Sequence, residues 1–273
     1  MKPPASFSAR ISITAILLLL VTLVSSCTKE VFTQGTTKEF KLRSSSNGAT
    51  YDIAVGLTDN YNPAESYATV YVLDGKEIFG FTANRCKEIA TRLNTKNVLV
   101  VGIGYGKDRS IDYTPTKMSS VTGGAPGFLH FIESELIPKM EEDYHSDTSR
   151  SGRVILGHSY GGLFGSYAFC MNNKVFGNYL MLSPSLWFDK EVMFQMEKNN
   201  RLQNKNQQNL VFMGIGANEE AGQMLAPFES FYQVLQSNYP GLQLAKNIER
   251  NTHHMSSREP NIIKGLEFYF QNR

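Results

Sequence analysis

Residues 157–162 constrain this 273-residue chain more than any other feature. They read Gly-His-Ser-Tyr-Gly-Gly and match the pattern G-x-S-x-G, with the serine at Ser159. An apolar run at 153–156 predicts a strand before the motif, and the run at 162–170 predicts a buried helix after it. Glycines remove the side-chain collisions that so sharp a strand-to-helix turn would cause. The pattern predicts that Ser159 is an exposed nucleophile, although a glycine-rich turn that merely holds a serine has the same composition.

A serine nucleophile needs a base that takes its proton and later returns it, and histidine has a suitable pKa. The chain has five histidines. Two of them, His253 and His254, lie in a predicted loop between a strand at Leu242–Glu249 and a helix near the C-terminus. A loop at the carboxyl end of a strand can bring a base over the serine. We predict that His254 is the base and that His253 is a solvated neighbour.

The acid that orients such a histidine is expected after the preceding strand, which we predict at 209–216. Glu219 and Glu220 follow that strand closely. A carboxylate here would orient the imidazole and stabilise its protonated form. We predict that Glu219 is the acid and keep Glu220 as the alternative. Adjacent glutamates also commonly occupy the first turn of a helix, where the helix dipole favours them.

Hydrolysis of an ester also requires two N–H groups that bind the developing oxyanion. One is predicted at Tyr160, the residue after the nucleophile. The other is expected after an earlier central strand, for which the β-branched run at 69–73 is the candidate. We predict the second donor at Gly75 or Lys76. A plain turn would have the same composition as Asp74 and Gly75.

The rest of the chain alternates between strand and helix patterns after two N-terminal strands that we predict to be antiparallel. This alternation predicts an α/β fold with a central, mostly parallel sheet and helices on both faces, in one domain at 38–273. The predicted strands are residues 39–43, 50–57, 69–73, 98–101, 153–156, 209–216 and 242–249, and the predicted helices are residues 78–93, 128–143, 162–170 and 260–270.

An ordered set of motifs covers most of the chain from about residue 37 onward. The motifs are residues 71–75, 101–105, Arg109, 112–115, 131–138, 157–162, 183–187 and 254–256. Together they resemble the esterase D-like branch of the α/β-hydrolases, which includes siderophore trilactone hydrolases and feruloyl and acetyl-xylan esterases. The resemblance implies the α/β-hydrolase fold, Ser159 as nucleophile, His254 as base and Glu219 as acid. Some members of the siderophore branch resemble Ser/His dyads, in which no acid is used.

Two hypotheses about function follow. The first is a serine hydrolase that cleaves a carboxylic ester through an acyl-enzyme, the substrate being a siderophore-type lactone or an acyl ester on a glycan. The second is a non-catalytic surface lipoprotein that binds such ligands on a hydrolase fold. Arg109, Tyr113 and Trp187 are predicted at the rim of the site, where cationic and aromatic side chains would suit a catecholate or an aromatic acyl group. Alternatively, Arg109 pairs with Asp112 and fixes the loop.

The first 26 residues have the pattern of an export signal. Lys2 and Arg10 provide a positive region, residues 11–24 are apolar, and Val-Ser-Ser precedes Cys27. This resembles the lipobox of bacterial lipoproteins, in which the cysteine receives a diacylglycerol. We predict a signal peptide at 1–26, a lipidated Cys27, a flexible tether at 27–37 and a lipid-anchored protein of the bacterial cell envelope, facing the periplasm or the outer surface. An ordinary secretory signal with an incidental cysteine is the alternative.

Composition argues against several other functions. The formal net charge is +2, and it falls to zero without the two basic residues of the leader, so nothing favours a nucleic-acid partner. Cys86 and Cys170 predict neither a disulfide framework nor a thiolate nucleophile. No His/Cys/Asp spacing suits a metal, because His253 and His254 are adjacent. We expect no metal and no cofactor.

Overall fold

In the computed structural model, which describes residues 29–273, strands and helices alternate after an N-terminal pair of strands. The strands are β1 (Gly35–Arg43), β2 (Thr50–Thr58), β3 (Thr69–Val72), β4 (Leu99–Ile103), β5 (Arg153–His158), β6 (Asn178–Leu182), β7 (Asn209–Gly216) and β8 (Leu242–Glu249). The helices are α1 (Gly75–Arg92), α2 (Arg109–Tyr113), α3 (Ala125–Phe131), α4 (Ile137–Tyr144), α5 (Tyr160–Asn172), α6 (Phe188–Asn204), α7 (Ala226–Asn238) and α8 (Arg258–Asn272). π-Helical turns at Ile132–Leu136 and Ala221–Leu225 lead into α4 and α7.

All eight strands form one sheet in the order β1-β2-β4-β3-β5-β6-β7-β8. Strand β2 pairs antiparallel with β1 and β4, and the remaining pairs are parallel. Parallel strands require crossover connections, and helices form these connections here. The predicted α/β architecture with a mostly parallel sheet is therefore confirmed. The carboxyl ends of β3, β5, β6, β7 and β8 lie along the same edge of the sheet, where a binding site is expected.

The sheet has an apolar layer on each face. One layer includes helix α5, in which residues 161–170 are all buried. A helix that is apolar all round has to lie inside the molecule. Helices α1 and α8 cover the opposite face, where Ile78, Cys86, Ile262 and Leu266 belong to one buried cluster. Every residue of β4 is buried, as expected for a strand covered on both sides.

The N-terminal segment differs from the flexible tether predicted at 27–37. Phe32 is only 7% exposed and belongs to the apolar layer that includes α1. The side-chain amide of Asn84 donates a hydrogen bond to Glu30 Oε1 at 2.7 Å. Gly80 lets the backbone approach, because a Cβ there would lie 1.9 Å from the Glu30 carbonyl oxygen. The prediction of a tether is therefore wrong for residues 30–37, the last of which already belong to β1.

Other segments also differ from the sequence-based prediction. The stretch at 104–124, where no helix is predicted, contains the short helix α2, and the helix predicted at 128–143 begins earlier, with α3. The sequence patterns give no bounds for β6, α6 and α7. The predicted signal peptide at 1–26 and Cys27 lie outside the described residues. Between residues 29 and 273, no helix combines the length and apolar character that crossing a membrane requires.

Candidate active site

Ser159 occupies the turn between β5 and α5 in a backbone conformation that non-glycine residues seldom adopt. Its φ is 61° and its ψ is −118°. The Ser159 N–H donates to the carbonyl oxygen of Leu182 at 2.9 Å, which ties the turn to β6. A Cβ at Gly157 would lie 2.4 Å from the carbonyl group of Gly161, so glycine is required where the chain crosses itself. Strained backbone of this kind occurs often at functional sites.

His254 and Glu219, the predicted base and acid, contact each other. His254 Nδ1 is 2.8 Å from Glu219 Oε2. Because a carboxylate can only accept, Nδ1 carries the hydrogen, and in the neutral form of the ring Nε2 has the lone pair that can take a proton. The Glu219 side chain is 1% exposed and that of His254 is 37% exposed. Both residues line a cavity of about 430 Å³ together with Ser159.

The Glu219 carboxylate is held from its other oxygen. Oε1 accepts hydrogen bonds from Ser183 Oγ at 2.6 Å, from the Gly216 N–H at 2.9 Å and from Ser257 Oγ at 3.3 Å. Burial alone would raise the pKa of this carboxyl group, but the hydrogen bonds from His254, Ser183 and Gly216 outweigh burial and lower the pKa. Glu219 is therefore a fixed negative charge at neutral pH.

Glu220 and His253, the sequence neighbours of the predicted acid and base, make other contacts. Glu220 precedes the π-helical turn at Ala221–Leu225, and its side chain accepts hydrogen bonds from the backbone N–H groups of Gly222 and Gln223. It therefore caps a helix, which is the ordinary role of such a carboxylate. His253 is exposed. Its Nδ1 donates to the carbonyl oxygen of Asn218 at 3.1 Å and does not contact Glu219.

The predicted oxyanion donors do not all lie at the same place. Tyr160 lines the cavity of the predicted nucleophile. Gly75 and Lys76 line a different cavity, of about 680 Å³. Gly75 packs against β4, where an added Cβ would lie 2.6 Å from the backbone nitrogen of Ile103, and Lys76 pairs with Asp52 at 2.7 Å. The structure thus brings Tyr160 to the cavity and leaves Gly75 and Lys76 outside its lining.

Arg109 lines the cavity but does not pair with Asp112, so that prediction is wrong. Its Nε and Nη2 donate to the two carboxylate oxygens of Asp74, each at 2.9 Å. Asp112 is buried and instead accepts from the hydroxyl group of Tyr51 at 3.0 Å. The paired carboxylate fixes the guanidinium group next to the nucleophile turn, where Nη2 also approaches the His158 carbonyl oxygen at 3.4 Å.

The two aromatic residues predicted at the rim lie in different places. Trp187 lines the cavity. Tyr113 is fully buried, with its ring 5.6 Å from that of Phe128 and 6.0 Å from that of Phe164. Helix α2 turns this residue into the core, and the sequence-based prediction had treated the segment as open loop.

Five residues of the cavity were not singled out from the sequence as part of it. They are Ser185, Asn218, Gln223, Met224 and His253, which was taken as merely solvated. Ser185 Oγ is 3.5 Å from Ser159 Oγ. Ser185 and Asn218 lie in the loops that follow β6 and β7, so the rule that sites lie at the carboxyl ends of parallel strands could have identified both.

The described residues also bear on two other kinds of site, a cysteine nucleophile and a metal centre. Cys86 and Cys170 are free and buried. Burial raises the pKa of each thiol, so neither is poised as a thiolate nucleophile. Among residues 29–273, no group of three or more His, Cys, Asp or Glu side chains is placed to hold a metal ion.

Comparison with known proteins gives the family. A family model described as "Putative esterase" matches residues 44–259, which include Ser159, Glu219 and His254. The chain belongs to this esterase family. Among curated relatives, the ferri-bacillibactin esterase BesA of Bacillus subtilis is 30% identical over 189 residues, or 62% of this chain. The match covers 65% of BesA, so the chain spans slightly less than two-thirds of that relative.

Solved structures agree with this placement. The BES protein from Bacillus cereus is 28% identical, with a TM-score of 0.78 over 88% of this chain and 97% of its own. An IroE-like serine hydrolase from Shewanella oneidensis is 27% identical, with a TM-score of 0.77 over 86% of this chain and 80% of its own. This member of the family has the α/β-hydrolase fold that the sequence motifs implied.

Proposed function

We propose that this esterase-family protein is a serine hydrolase that cleaves a carboxylic ester through an acyl-enzyme on Ser159. One observation carries the proposal. His254 is hydrogen-bonded through Nδ1 to the buried Glu219, and it shares a cavity with a serine held on a strained strand-to-helix turn. A nucleophile, a base with a free Nε2 and an oriented carboxylate together supply what acyl transfer needs.

The reaction would proceed in two halves. Ser159 Oγ attacks the ester carbonyl carbon while His254 Nε2 takes the hydroxyl proton, and the Tyr160 N–H is positioned by sequence to bind the oxyanion. The tetrahedral intermediate collapses, the C–O bond to the alcohol breaks, and His254 returns the proton to the departing alkoxide. Water then attacks the acyl-enzyme with His254 again as base, which releases the acid and regenerates the Ser159 hydroxyl. Glu219 stabilises the imidazolium in both halves.

A siderophore-type lactone is the substrate class that we propose. The similar protein BesA is named a ferri-bacillibactin esterase. In this chain the cavity brings together the cationic Arg109 and the aromatic rings of Tyr160 and Trp187, and the Arg109 guanidinium lies 5.7 Å from the Tyr160 ring centre. The guanidinium group, held in place by Asp74, and the neighbouring aromatic surface suit an electron-rich catecholate ring.

The test is a substrate panel with a matched inactive variant. We expect the wild-type protein to hydrolyse a short p-nitrophenyl ester and a tris-catecholate trilactone, and Ser159→Ala to lose turnover by on the order of a thousandfold or more while remaining folded. A preference for a feruloyl or acetyl ester of a sugar would overturn the substrate class. If folded wild-type protein hydrolysed none of these esters but bound the lactone, the non-catalytic alternative would replace the enzyme.

We also propose that Cys27 carries a lipid that anchors the protein in the bacterial envelope. The support is the sequence pattern alone, an apolar stretch that ends in Val-Ser-Ser before the cysteine. Cells that express the protein and are fed radioactive palmitate should label it, and Cys27→Ser should abolish the label and release the protein from the membrane fraction. Cys86→Ser is the matched control and should keep the label. An unchanged label in Cys27→Ser would contradict the proposal.

A further inference from the structure

His158 is the last residue of β5 and directly precedes Ser159, but the acyl-transfer steps above give its side chain no role. The residue is buried, with 3% of its surface exposed. Its Nε2 lies 2.8 Å from the carbonyl oxygen of His254. Because a carbonyl oxygen only accepts, Nε2 must carry the hydrogen, and this contact fixes the tautomer of His158.

The two histidines also contact each other through their rings. The ring centres are 4.6 Å apart, with an angle of 41° between the planes. His158 therefore touches both the backbone and the side chain of a residue that is 96 positions away in the sequence. Ser257 Oγ lies 3.2 Å from the same carbonyl oxygen, so its one hydroxyl hydrogen is shared between this oxygen and Glu219 Oε1. The backbone at His254 is thus held from β5 and from the start of α8.

Other hydrogen bonds also hold the loop around His254, from the Asn218 N–H to the Thr252 carbonyl oxygen at 2.9 Å and from His253 Nδ1 to the Asn218 carbonyl oxygen at 3.1 Å, but these two do not involve His254 itself. His253, Met255 and Ser256 are exposed. An exposed loop opens more easily than the buried core, so a base carried on it needs specific contacts to keep one orientation. A hydrogen bond from a buried side chain of the neighbouring strand provides such a contact.

The charge state of His158 suits a position next to the His254 ring. Burial, the nearby His254 and Arg258 lower the pKa of His158 to about 3, against the weaker opposing effects of its bond to the His254 carbonyl and of Glu219. His158 is therefore neutral at neutral pH. A neutral ring does not repel the positive charge that develops on the His254 imidazole during acyl transfer, as a second cation would.

We propose that His158 is a positioning residue, which holds the His254 carbonyl through Nε2–H so that the His254 imidazole keeps its bond to Glu219 in the cavity that it shares with Ser159. The proposal rests on the proposed function, since it assigns His158 a role in orienting the base of that reaction. It also explains why a histidine occupies the first variable position of the G-x-S-x-G turn, where the turn itself demands nothing but the glycines.

The kinetic test uses one variant that removes the donor and one that keeps it. His158→Phe retains a ring but no N–H, and we expect kcat to fall by about 10- to 100-fold with KM changed less than about twofold, because small misplacements of reacting groups cost this much. His158→Gln retains an amide N–H and should recover most of the loss. His130→Gln is the matched control, since His130 is exposed on α3, and it should behave as wild type.

A second measurement separates positioning from stability and needs no turnover. The His254 Nδ1 proton bonded to Glu219 should give a downfield proton NMR resonance in the wild-type protein, absent from His254→Ala. We expect it to be broadened or lost in folded His158→Phe and to return in His158→Gln. This resonance would report on the contact even if the wild-type protein hydrolysed no ester.

Two results would overturn the proposal. One is a folded His158→Phe protein with wild-type kcat and an unchanged resonance. The other result matters if His158→Phe does not fold. His158→Gln is then compared with His158→Asn, because the shorter amide of asparagine does not reach the His254 carbonyl oxygen. Equal kcat and equal resonances in these two variants would then show that the donor does not position His254.

Discussion

The Glu219 carboxylate accepts the Nδ1 hydrogen of His254 at 2.8 Å, although the residues are 35 positions apart. The sheet explains the contact, because β7 and β8 are parallel neighbours in which Gly216 pairs with Glu249. The loops that follow are also joined, by a hydrogen bond from the Asn218 N–H to the Thr252 carbonyl oxygen at 2.9 Å. Acid and base are therefore held together by the register of two strands.

The first prediction concerns this acid. Glu219→Gln should lower turnover by roughly a hundredfold or more, because an amide neither fixes the His254 tautomer nor stabilises the imidazolium. Glu220→Gln is the matched control and should retain nearly full turnover, since Glu220 caps a helix. The turnover of both variants is measured by steady-state kinetics on a p-nitrophenyl ester. Equal, small effects of the two changes would indicate a Ser159 and His254 dyad.

The second prediction concerns the adjacent histidines. His254→Ala should reduce turnover as severely as loss of the serine, by on the order of a thousandfold or more, because no other group would take the proton. His253→Ala should be mild, since His253 Nδ1 contacts only the Asn218 carbonyl oxygen. The reverse ranking in the same kinetic assay would make His253 the base.

The third prediction tests the geometry of the turn. Gly157→Ala should destabilise the protein by about 1–3 kcal/mol or more and reduce activity, because its Cβ would meet the Gly161 carbonyl group at 2.4 Å. Gly165→Ala is the control in α5, where the nearest neighbour of an added Cβ is Met181 Cγ at 3.5 Å, an ordinary contact distance. It should fold with equal or greater stability, since alanine favours helices. The melting temperatures of the two variants, measured by thermal unfolding, provide the comparison. Equal melting temperatures would contradict the steric argument.

The fourth prediction concerns stability as a function of pH. Burial would raise the pKa of Glu135, but hydrogen bonds from Ser46, Ser45 and Ser44 lower it to about 2. A carboxyl group whose folded pKa is depressed stabilises the fold above its unfolded pKa of about 4.3, and this stabilisation is lost as pH falls toward 2.

Glu135→Gln should therefore lower the melting temperature by roughly 2–4 °C at pH 7 and by less as pH falls from about 4.5 to 2. Glu133→Gln is the control, because Glu133 is an exposed residue on the same helical turn. Melting temperatures across this pH range provide the measurement. A difference for Glu135→Gln that stayed constant down to pH 2 would exclude the charged hydrogen-bond network as its cause.

The sequence predicts the fold for physical reasons, and the structure brings the three predicted residues Ser159, Glu219 and His254 to one cavity. Alternating strand and helix patterns specify a parallel sheet, and the chain order of such a sheet brings Ser159, Glu219 and His254 to one edge. The choice of Glu219 over Glu220 could not be made from spacing alone. It depends on the hydroxyl groups of Ser183 and Ser257, which reach Glu219 from other elements of the fold.

The errors lie where tertiary contacts override local composition. Residues 30–37 are polar enough to suggest a tether, yet Phe32 packs against α1. Arg109 is closer in sequence to Asp112, but the fold brings Asp74 to it with better bidentate geometry. Tyr113 follows a loop-like stretch and is nevertheless buried, because the short helix α2 turns it inward. None of these contacts has a local sequence signal.

The most direct test of the central proposal is covalent labelling of the nucleophile. Wild-type protein treated with a fluorophosphonate probe should gain the mass of one adduct, and peptide mass spectrometry should place that adduct on Ser159, since only an activated serine reacts rapidly. Ser159→Ala should not be labelled, and His254→Ala should be labelled far more slowly. Absence of an adduct on folded wild-type protein, or an adduct on a different residue, would contradict the assignment of Ser159 as the nucleophile.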